Sequence, residues 1–237
     1  MKIIPAILES SFNEIENKVE SIIGDSEKIH IDICDGLLVP HKTWPYSESP
    51  NNRIEENFHI KKLLNEDEGL PYWQDINYEF DLMIQNPNIQ QDIWGRVGAN
   101  ILIIHPKSFK DDIAIHDFIV EMNTYMIDVI LAVTHEEYDE YKELISDLIN
   151  GDLIKSLQVM TIKNIGSQGQ RFDNSDFDLI EKIKTEYPDI HIRIDGGVND
   201  KNINTILDLN IDECVIGSAI YVVGNPRENL NYFQDLC

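Results

Sequence analysis

The sequence predicts an α/β fold of the (β/α)8 barrel type, formed by one domain over residues 1–237. Eight short apolar segments with the period of a strand alternate with segments whose apolar residues recur at helical spacing. This alternation predicts a parallel sheet, and 237 residues is close to the length of a barrel with eight strands. A doubly wound open sheet is the alternative, but it normally carries a glycine-rich turn where this chain has Leu8-Glu9-Ser10-Ser11.

The first predicted strand is the apolar run 2–8. Phe12, Ile15, Val19 and Ile22 follow at helical spacing, after a serine that can cap the helix and before a glycine that can end it. The second strand is centred on the stretch 30–36, His-Ile-Asp-Ile-Cys-Asp-Gly. Residues of about 40–75 form an extended irregular region, which contains Pro40, Pro45 and Pro50 and a predicted helix near 54–64.

The same pattern repeats through the rest of the chain. Each apolar strand ends in turn residues and leads into a segment with an apolar helical face. The remaining predicted strands are 78–84, 100–105, 128–133, 157–162, 190–195 and 214–218. Helices are predicted near 113–125, 141–148, 177–183 and 203–209, and close to the C-terminus.

Acidic residues dominate the composition. The chain has 43 Asp and Glu against 19 Lys and Arg, a net charge of −24. Nucleic-acid binding needs a basic surface, so this charge argues against it. An anionic substrate must then be held by local backbone dipoles, because the overall field repels it.

The cysteines and the hydropathy predict a cytoplasmic protein. Three cysteines, Cys34, Cys214 and Cys237, are an odd number without the spacing of a disulfide framework, which favours free thiols and a reducing compartment. No run of 18 apolar residues is present, so no transmembrane helix is expected. The first residues carry one positive charge and reach Glu9 too soon for a signal peptide.

Polar side chains converge on one end of the predicted barrel. In the second strand, isoleucines alternate with His30, Asp32 and Cys34, so the polar and apolar residues lie on opposite faces. Asp81 and Asp195 occupy the ends of the third and seventh strands. Active groups of such barrels lie at these carboxyl ends, and this set suits a metal ion or proton transfer. A half-exposed edge strand whose polar face meets water is the alternative for residues 30–34.

Two further charged residues are expected inside the barrel. Arg193 shares a face with Asp195, and Glu79 points inward from the third strand. A lone buried charge is costly, so we predict that Arg193 and Glu79 form a structural pair.

Glycine-rich turns follow the last three predicted strands. Each is weak evidence alone, but turns on neighbouring strands match the usual phosphate site of these barrels, where backbone amides approach the ligand closely. The residues of these turns are Gly166, Ser167, Gln168, Gly169, Gly196, Gly197, Gly217 and Ser218.

These motifs together resemble the ribulose-phosphate 3-epimerase family, whose members interconvert ribulose 5-phosphate and xylulose 5-phosphate. The family's Pro-Ser-Ile-Leu, His-Val-Asp-Val-Met-Asp-Gly and His-Leu-Met-Val strands match residues 5–8, 30–36 and 81–84. Its Val-Met-Thr-Val strand, with the Gly-Gln loop after it, matches 159–162 and 166–170. Asp195-Gly196-Gly197-Val198-Asn199 and Gly217-Ser218-Ala219-Ile220 match its last two motifs. The resemblance covers nearly the whole chain except about 44–75.

The resemblance implies a TIM barrel of the ribulose-phosphate-binding type and a cytoplasmic isomerase of carbohydrate metabolism, in the pentose phosphate pathway. By this resemblance Asp32 and Asp195 are the catalytic acid and base, and a divalent metal polarises the ketone. The matching metal ligands are His30, Asp32, Asp81 and Asp195. Cys34, Met83 and Met160 match residues that line the pocket, and the glycine-rich turns match the phosphate site. Barrels of this kind commonly associate, so a homo-oligomer is expected.

Three differences from the family pattern fall on the implied site. Asp81 stands where the family has a histidine ligand, Ala6 replaces a serine that contacts substrate, and Cys34 replaces a methionine. A shell of one histidine and three carboxylates suits harder ions better than a histidine-rich one. Among Mn²⁺, Fe²⁺, Zn²⁺ and Mg²⁺ we therefore expect a harder ion, such as Mn²⁺ or Fe²⁺. The alternative for Asp81 is a plain hydrogen bond with no metal.

Three alternative functions stay open at this point. The substrate can be another ketose phosphate, such as allulose 6-phosphate, or the chain can be a phosphosugar-binding barrel without catalysis. A hexulose-phosphate synthase or a decarboxylase of the same barrel group is ranked lower. Those enzymes usually carry a lysine near the acids of strands two or three, and residues 78–84 contain none.

Overall fold

Eight parallel strands close into a barrel in residues 1–162 and 176–237, the part of the chain that this computed structural model describes. The strands follow one another around the barrel in chain order, and the last pairs with the first. They are β1 (Lys2–Ile7), β2 (Lys28–Cys34), β3 (Asn77–Met83), β4 (Ile101–Ile104), β5 (Asp128–Val133), β6 (Ser156–Met160), β7 (His191–Asp195) and β8 (Glu213–Ile216). The predicted (β/α)8 barrel is confirmed, and the open sheet is excluded.

Helices follow the strands and cover the outside of the barrel. Ser11 caps the first helix by accepting a hydrogen bond from the N–H of Glu14, as the sequence predicted. The helices are α1 (Phe12–Ile22), α2 (Phe58–Leu64), α3 (Gln91–Trp94), α4 (Asp112–Thr124), α5 (His135–Glu140), α6 (Lys142–Asn150), α7 (Asp176–Glu186), α8 (Ile203–Leu207), α9 (Ser218–Tyr221) and α10 (Pro226–Asp235). Within the described ranges, no helix combines the length and apolar character needed to cross a bilayer.

The two faces of β2 are buried in different surroundings. Ile29, Ile31 and Ile33 belong to the apolar layer between strands and helices, whereas the alternate residues point into the barrel. Because β2 pairs with β1 on one side and β3 on the other, it is not an edge strand. The alternative of a polar strand face exposed to water is therefore wrong.

Between β2 and α2 the chain forms 3-10 turns at Tyr46–Glu48, Pro50–Asn52 and Ile54–Glu56. The helix predicted near 54–64 begins only at Phe58, because the Asn57 side chain accepts the N–H groups of His59 and Ile60 and caps it there. Thr43 anchors this segment to β2: its hydroxyl donates to the carbonyl of Asp32 and accepts the N–H of Cys34. The segment is thus tied to the strand that carries two of the predicted ligands.

The register of the strands sets the predicted site in layers. In β2 and β3, Asp32 lies beside Asp81, and one layer below His30 lies beside Glu79. On the opposite side, Asp195 of β7 lies beside Met160 of β6. Since β3 and β7 stand four strands apart in a barrel of eight, their inward side chains face each other across the barrel interior.

Candidate active site

Four of the predicted residues meet inside the carboxyl end of the barrel. His30, Asp32, Asp81 and Asp195 each offer one ligand atom, and these atoms all lie within 4.8 Å of one another. The first three are buried and Asp195 is partly exposed, so the group opens to one side only. One imidazole and three carboxylates at this spacing form a donor set that a divalent cation can accept.

His30 is held with one ring nitrogen directed at the carboxylates. Its Nδ1 lies 2.8 Å from Oε1 of Glu79, in a hydrogen bond inside the barrel. Its Nε2 lies 3.2 Å from Oδ1 of Asp32 and 3.7 Å from Oδ2 of Asp81. Neither contact has hydrogen-bond geometry, so among the described residues this fully buried nitrogen has only ion-pair contacts, with the two carboxylates. A buried imidazole nitrogen that makes no hydrogen bond and faces carboxylates fits a metal ligand.

The electrostatics of His30 follow from its neighbours. Burial disfavours the imidazolium, but the carboxylates of Asp32 and Glu79 outweigh it and raise the pKa of His30 well above its usual range. A cation at Nε2 would take the place of a proton there. The residues that stabilise the imidazolium would therefore also stabilise a cation at this nitrogen.

Asp81 has a hydrogen-bond donor on each oxygen. Nε2 of His105 lies 2.6 Å from Oδ1, and the amide of Gln158 donates to Oδ2 over 2.9 Å. Burial alone would raise the pKa of Asp81, but His105, His30 and Gln158 lower it, so the carboxylate is ionised. A carboxylate oxygen has two lone pairs, so these bonds leave Asp81 able to bind a cation as well.

Asp32 and Asp195 are two carboxyl groups whose pKa is raised by burial. For Asp195 the nearby Asp32 and Asp81 contribute further, bringing its pKa to about 7. The Gln158 amide also reaches Oδ2 of Asp195, at 3.5 Å. Burial and a neighbouring negative charge therefore both favour the protonated form of these groups.

A pocket opens beside Asp32 and Asp195 and extends toward the turns after β7 and β8. Gly196 and Gly197 have positive φ angles of 118° and 70°, and the Thr161 hydroxyl donates to the carbonyl of Gly196. A Cβ on Gly196 would lie 2.7 Å from Cγ2 of Ile162, so only glycine fits there. The pocket is lined by Ala6, Leu8, Asp32, Met83, Met160, Ile162, Asp195, Gly196, Gly197, Val198, Val215, Gly217 and Ser218.

The remaining predicted residues fall elsewhere. Cys34 is fully buried and packs with Val39 and Met83 beside the pocket. Gly166, Ser167, Gln168 and Gly169 lie outside the described residues. The predicted pair of Arg193 and Glu79 is confirmed by hydrogen bonds from the guanidinium to both oxygens of the carboxylate.

Sequence reasoning missed Gln158 as a site residue and did not connect His105 with Asp81. The sequence offered one signal for Gln158. It is a polar residue in an otherwise apolar strand, two positions before Met160 and therefore on the same inward face. The Gln158 contact does not follow from local pattern, because β3 and β6 are not neighbours and face each other only inside the closed barrel. The His105 contact depends on the register of β4 beside β3, which the sequence alone does not give.

Comparison with known proteins gives a family and a set of folds. The sequence profile of the Ribulose-phosphate 3 epimerase family matches residues 2–221. Ribulose-phosphate 3-epimerase of Helicobacter pylori strain 26695 is 24% identical over 231 residues, which cover 93% of this chain and 91% of that protein. Ribulose-phosphate 3-epimerase of Bacillus subtilis is 26% identical over 228 residues, 93% of this chain and 92% of that protein.

Solved structures share the fold at low identity. 3-Hexulose-6-phosphate synthase of Salmonella typhimurium superposes with a TM-score of 0.68 at 15% identity, covering 100% of this chain and 98% of that one. KGPDC of Streptococcus mutans, solved in complex with D-R5P, gives 0.67 at 10% identity over 98% and 95% of the two chains. At these identities the likeness shows the barrel alone.

Proposed function

Because this chain belongs to the ribulose-phosphate 3-epimerase family, we propose that it epimerises a ketose phosphate at C3, interconverting D-ribulose 5-phosphate and D-xylulose 5-phosphate. The observation that carries the proposal is the meeting of Asp32 and Asp195 at one pocket, beside His30 and Asp81. Epimerisation needs a base on one face of the carbon and an acid on the other, and two carboxyl groups in one pocket meet that need.

In the proposed reaction, one of the two carboxylates removes the proton from C3 and leaves an enediolate. The other, protonated carboxyl then delivers a proton to the opposite face, which inverts the configuration. In the reverse direction Asp32 and Asp195 exchange roles. Burial raises the pKa of both carboxyl groups, which favours a proton on one of them and supports an acid beside a base.

We assign the metal ligands to His30, Asp32, Asp81 and Asp195, supported by their spacing and by Nε2 of His30, which makes no hydrogen bond to the described residues. A bound divalent ion would stabilise the negative charge that develops on the substrate oxygen next to C3. Three carboxylates in the set favour a harder ion, Mn²⁺ or Fe²⁺, with Mg²⁺ and Zn²⁺ as the other choices. His105 and Gln158 hold Asp81 in place for this role.

The phosphate of the substrate is assigned to the turns after β7 and β8, with Gly196, Gly197, Gly217 and Ser218, together with the predicted 166–169 loop. Two of these glycines have positive φ and lack side chains that would keep a phosphate from the backbone amides. Local dipoles of this kind are needed because the chain as a whole carries a charge of −24.

An epimerase for another ketose phosphate, such as allulose 6-phosphate, is the second candidate. The pocket wall includes Ala6, Leu8 and Val215, which offer no hydrogen bond to a sugar hydroxyl. A synthase or decarboxylase stays lower, because no described ion pair joins a lysine to Asp32, Asp81 or Asp195. A phosphosugar-binding barrel without catalysis is the remaining alternative.

A reducing compartment and a homo-oligomer are also proposed. All three cysteines are free, which fits the cytoplasm. Light scattering on the eluting peak of a size-exclusion column gives the mass of the assembly, and a mass of one chain would overturn the oligomer.

The test is elemental analysis of the purified protein together with solvent deuterium exchange at C3 of ribulose 5-phosphate. One divalent ion per chain with exchange at C3 is the expected result. Exchange with allulose 6-phosphate but not with ribulose 5-phosphate would move the substrate to the second candidate. No exchange with either sugar, in protein loaded with Mn²⁺, would overturn the epimerase.

A further inference from the structure

We propose that Glu79, clamped by Arg193, is a positioning residue that fixes the tautomer and ring orientation of His30, so that Nε2 faces Asp32 and Asp81. The inference deepens the proposed function, since it rests on His30 being a metal ligand. It gives Glu79 and Arg193 a role in metal binding, which a purely structural ion pair would not have.

The contact between His30 and Glu79 selects one tautomer. Nδ1 of His30 lies 2.8 Å from Oε1 of Glu79, and both side chains are fully buried. An ionised carboxylate only accepts hydrogen bonds, so the proton of this pair lies on Nδ1. Nε2 is thereby left to face the carboxylate cluster.

Glu79 itself cannot turn away from His30. The Arg193 guanidinium donates to both of its oxygens, with Nη1 2.9 Å from Oε2. Arg193 is held in turn by Glu213, whose Oε2 lies 3.3 Å from Nη1, and Lys28 donates to Glu213 over 2.7 Å. We call Lys28, Glu79, Arg193 and Glu213 the floor network. It crosses the barrel interior from β7 and β8 to β3 and ends at His30.

Stability alone is a poor explanation for the floor network. Barrel interiors are usually filled with bulky branched residues, and replacing a buried ion pair by well-packed apolar residues is often neutral or stabilising. Arg193 and Glu79 have no exposed surface, and Nε of Arg193 has no partner among the described residues. The free-energy cost of burying Glu79 and Arg193 is explained if the pair orients His30, which must bind a metal ion in one tautomer.

Nε2 of His30 is the independent observation that gives the network a target. This buried nitrogen makes no hydrogen bond to the described residues, and it faces the carboxylates of Asp32 and Asp81 at 3.2 and 3.7 Å. A hydrogen-bonded Nδ1 with Nε2 facing other donor groups is the arrangement of a histidine ligand oriented by a carboxylate.

The test compares the wild type with the double variant Glu79→Leu, Arg193→Leu, which removes both charges and the acceptor for Nδ1 and leaves neither charge unpaired. Glu186→Gln is the control, because Glu186 accepts hydrogen bonds from Tyr138 and Lys142 and lies outside the floor network. Mn²⁺ affinity is measured by isothermal titration calorimetry at a temperature at which circular dichroism shows all three proteins folded. The ring nitrogens of His30 are followed by 15N–1H correlation spectra of the Zn²⁺-loaded proteins.

We expect the Mn²⁺ dissociation constant of the double variant to rise by about 10- to 100-fold, the usual effect of removing an orienting partner of a ligand. Glu186→Gln should bind within about twofold of the wild type, since Glu186 contacts neither His30 nor the floor network. In the wild type, His30 should show a protonated Nδ1, and in the double variant this signal should be lost to exchange. Restoring the carboxylate and its clamp, as Glu79→Asp with Arg193 kept, should recover part of the affinity.

Equal affinities of the wild type and the folded double variant would overturn the inference and leave the proposed function intact. A proton on Nε2 of His30 in the Zn²⁺-loaded wild type would overturn it as well. Absence of Mn²⁺ binding by the wild type would overturn the metal site and the inference together. Metal binding without any exchange at C3 would overturn the proposed reaction alone.

Discussion

Asp81 and His105 form a buried pair, with Nε2 of His105 2.6 Å from Oδ1 of the carboxylate. Burial lowers the pKa of His105, but Asp81 outweighs it and raises the value. The residue directly after β4 thus gives a hydrogen-bond donor to the carboxylate that distinguishes the proposed ligand set. Two roles are open to Asp81: it is either a metal ligand held in place by His105 or only a hydrogen-bond acceptor. A substitution of Asp81 distinguishes them.

We expect Asp81→Ala to retain no divalent ion after dialysis, while the wild type retains one per chain, because one of four ligands is lost. Mass spectrometry of the metal content is the measurement. Asp81→His is the companion variant: it should retain an ion and shift the preference toward Zn²⁺. An unchanged metal content in folded Asp81→Ala would show that the residue only accepts hydrogen bonds.

Each of the substitutions Asp32→Asn and Asp195→Asn should lower deuterium exchange at C3 by about 10²- to 10⁴-fold, the usual share of general acid–base catalysis. Exchange from ribulose 5-phosphate should fall most in one variant and exchange from xylulose 5-phosphate in the other, because each epimer has its own base. Asp189→Asn, at an exposed position, is the control. An equal loss of exchange from both epimers in both variants would contradict the assignment of a separate base to each epimer.

Gly196→Ala should weaken substrate binding and destabilise the fold. Gly24→Ala is a matched control, since both glycines have positive φ, but nothing lies within 4 Å of a Cβ at Gly24. The control should lose about 1–2 kcal/mol from backbone strain alone. Gly196→Ala should lose about 1–3 kcal/mol more from its clash with Ile162. Urea unfolding and the KM for the sugar phosphate report these effects, and equal losses in both variants would remove the steric explanation.

Glu213 makes the free energy of unfolding depend on pH in the acidic range. Burial would raise its pKa, but His191, Lys28 and Arg193 outweigh it and lower the pKa to about 2. A carboxylate with a depressed pKa stabilises the fold above its unfolded pKa, near 4.5, and loses that effect as pH falls toward 2. Glu213→Gln should be less stable than the wild type by about 1.5–3 kcal/mol at pH 7, the usual range for hydrogen bonds to a charged group. The difference in unfolding free energy should narrow below pH 4.5; a constant difference from pH 7 to pH 3 would contradict the assignment.

The strands could be predicted from the sequence because each is a local pattern with a period of two. The alternation around His30 and Asp32 placed both residues inside the barrel, and the structure confirms this. Asp81 and Asp195 were found by the same rule, at the ends of strands whose apolar faces are clear. Local pattern therefore sufficed for the four cluster residues.

Contacts made across the barrel could not be predicted in the same way. Gln158 meets Asp81 only because β6 and β3 face the same interior, and the sequence alone gives no distance between them. The turns of the 40–75 region depend on tertiary contacts as well, since Trp44 packs edge-on against Phe80 of β3 and near Phe12 of α1. Such contacts override the weak local preference for a helix from residue 54.

Closure of the barrel has a consequence for synthesis and folding. Since β1 pairs with β8, Lys2 beside Glu213, the ring is completed only when the last strand has been made. A nascent half-barrel ending after β4 already carries His30, Asp32 and Asp81, but it lacks Asp195 and the Arg193 clamp. Tight metal capture is therefore expected to be a property of the finished chain, and partly translated copies should not sequester the ion.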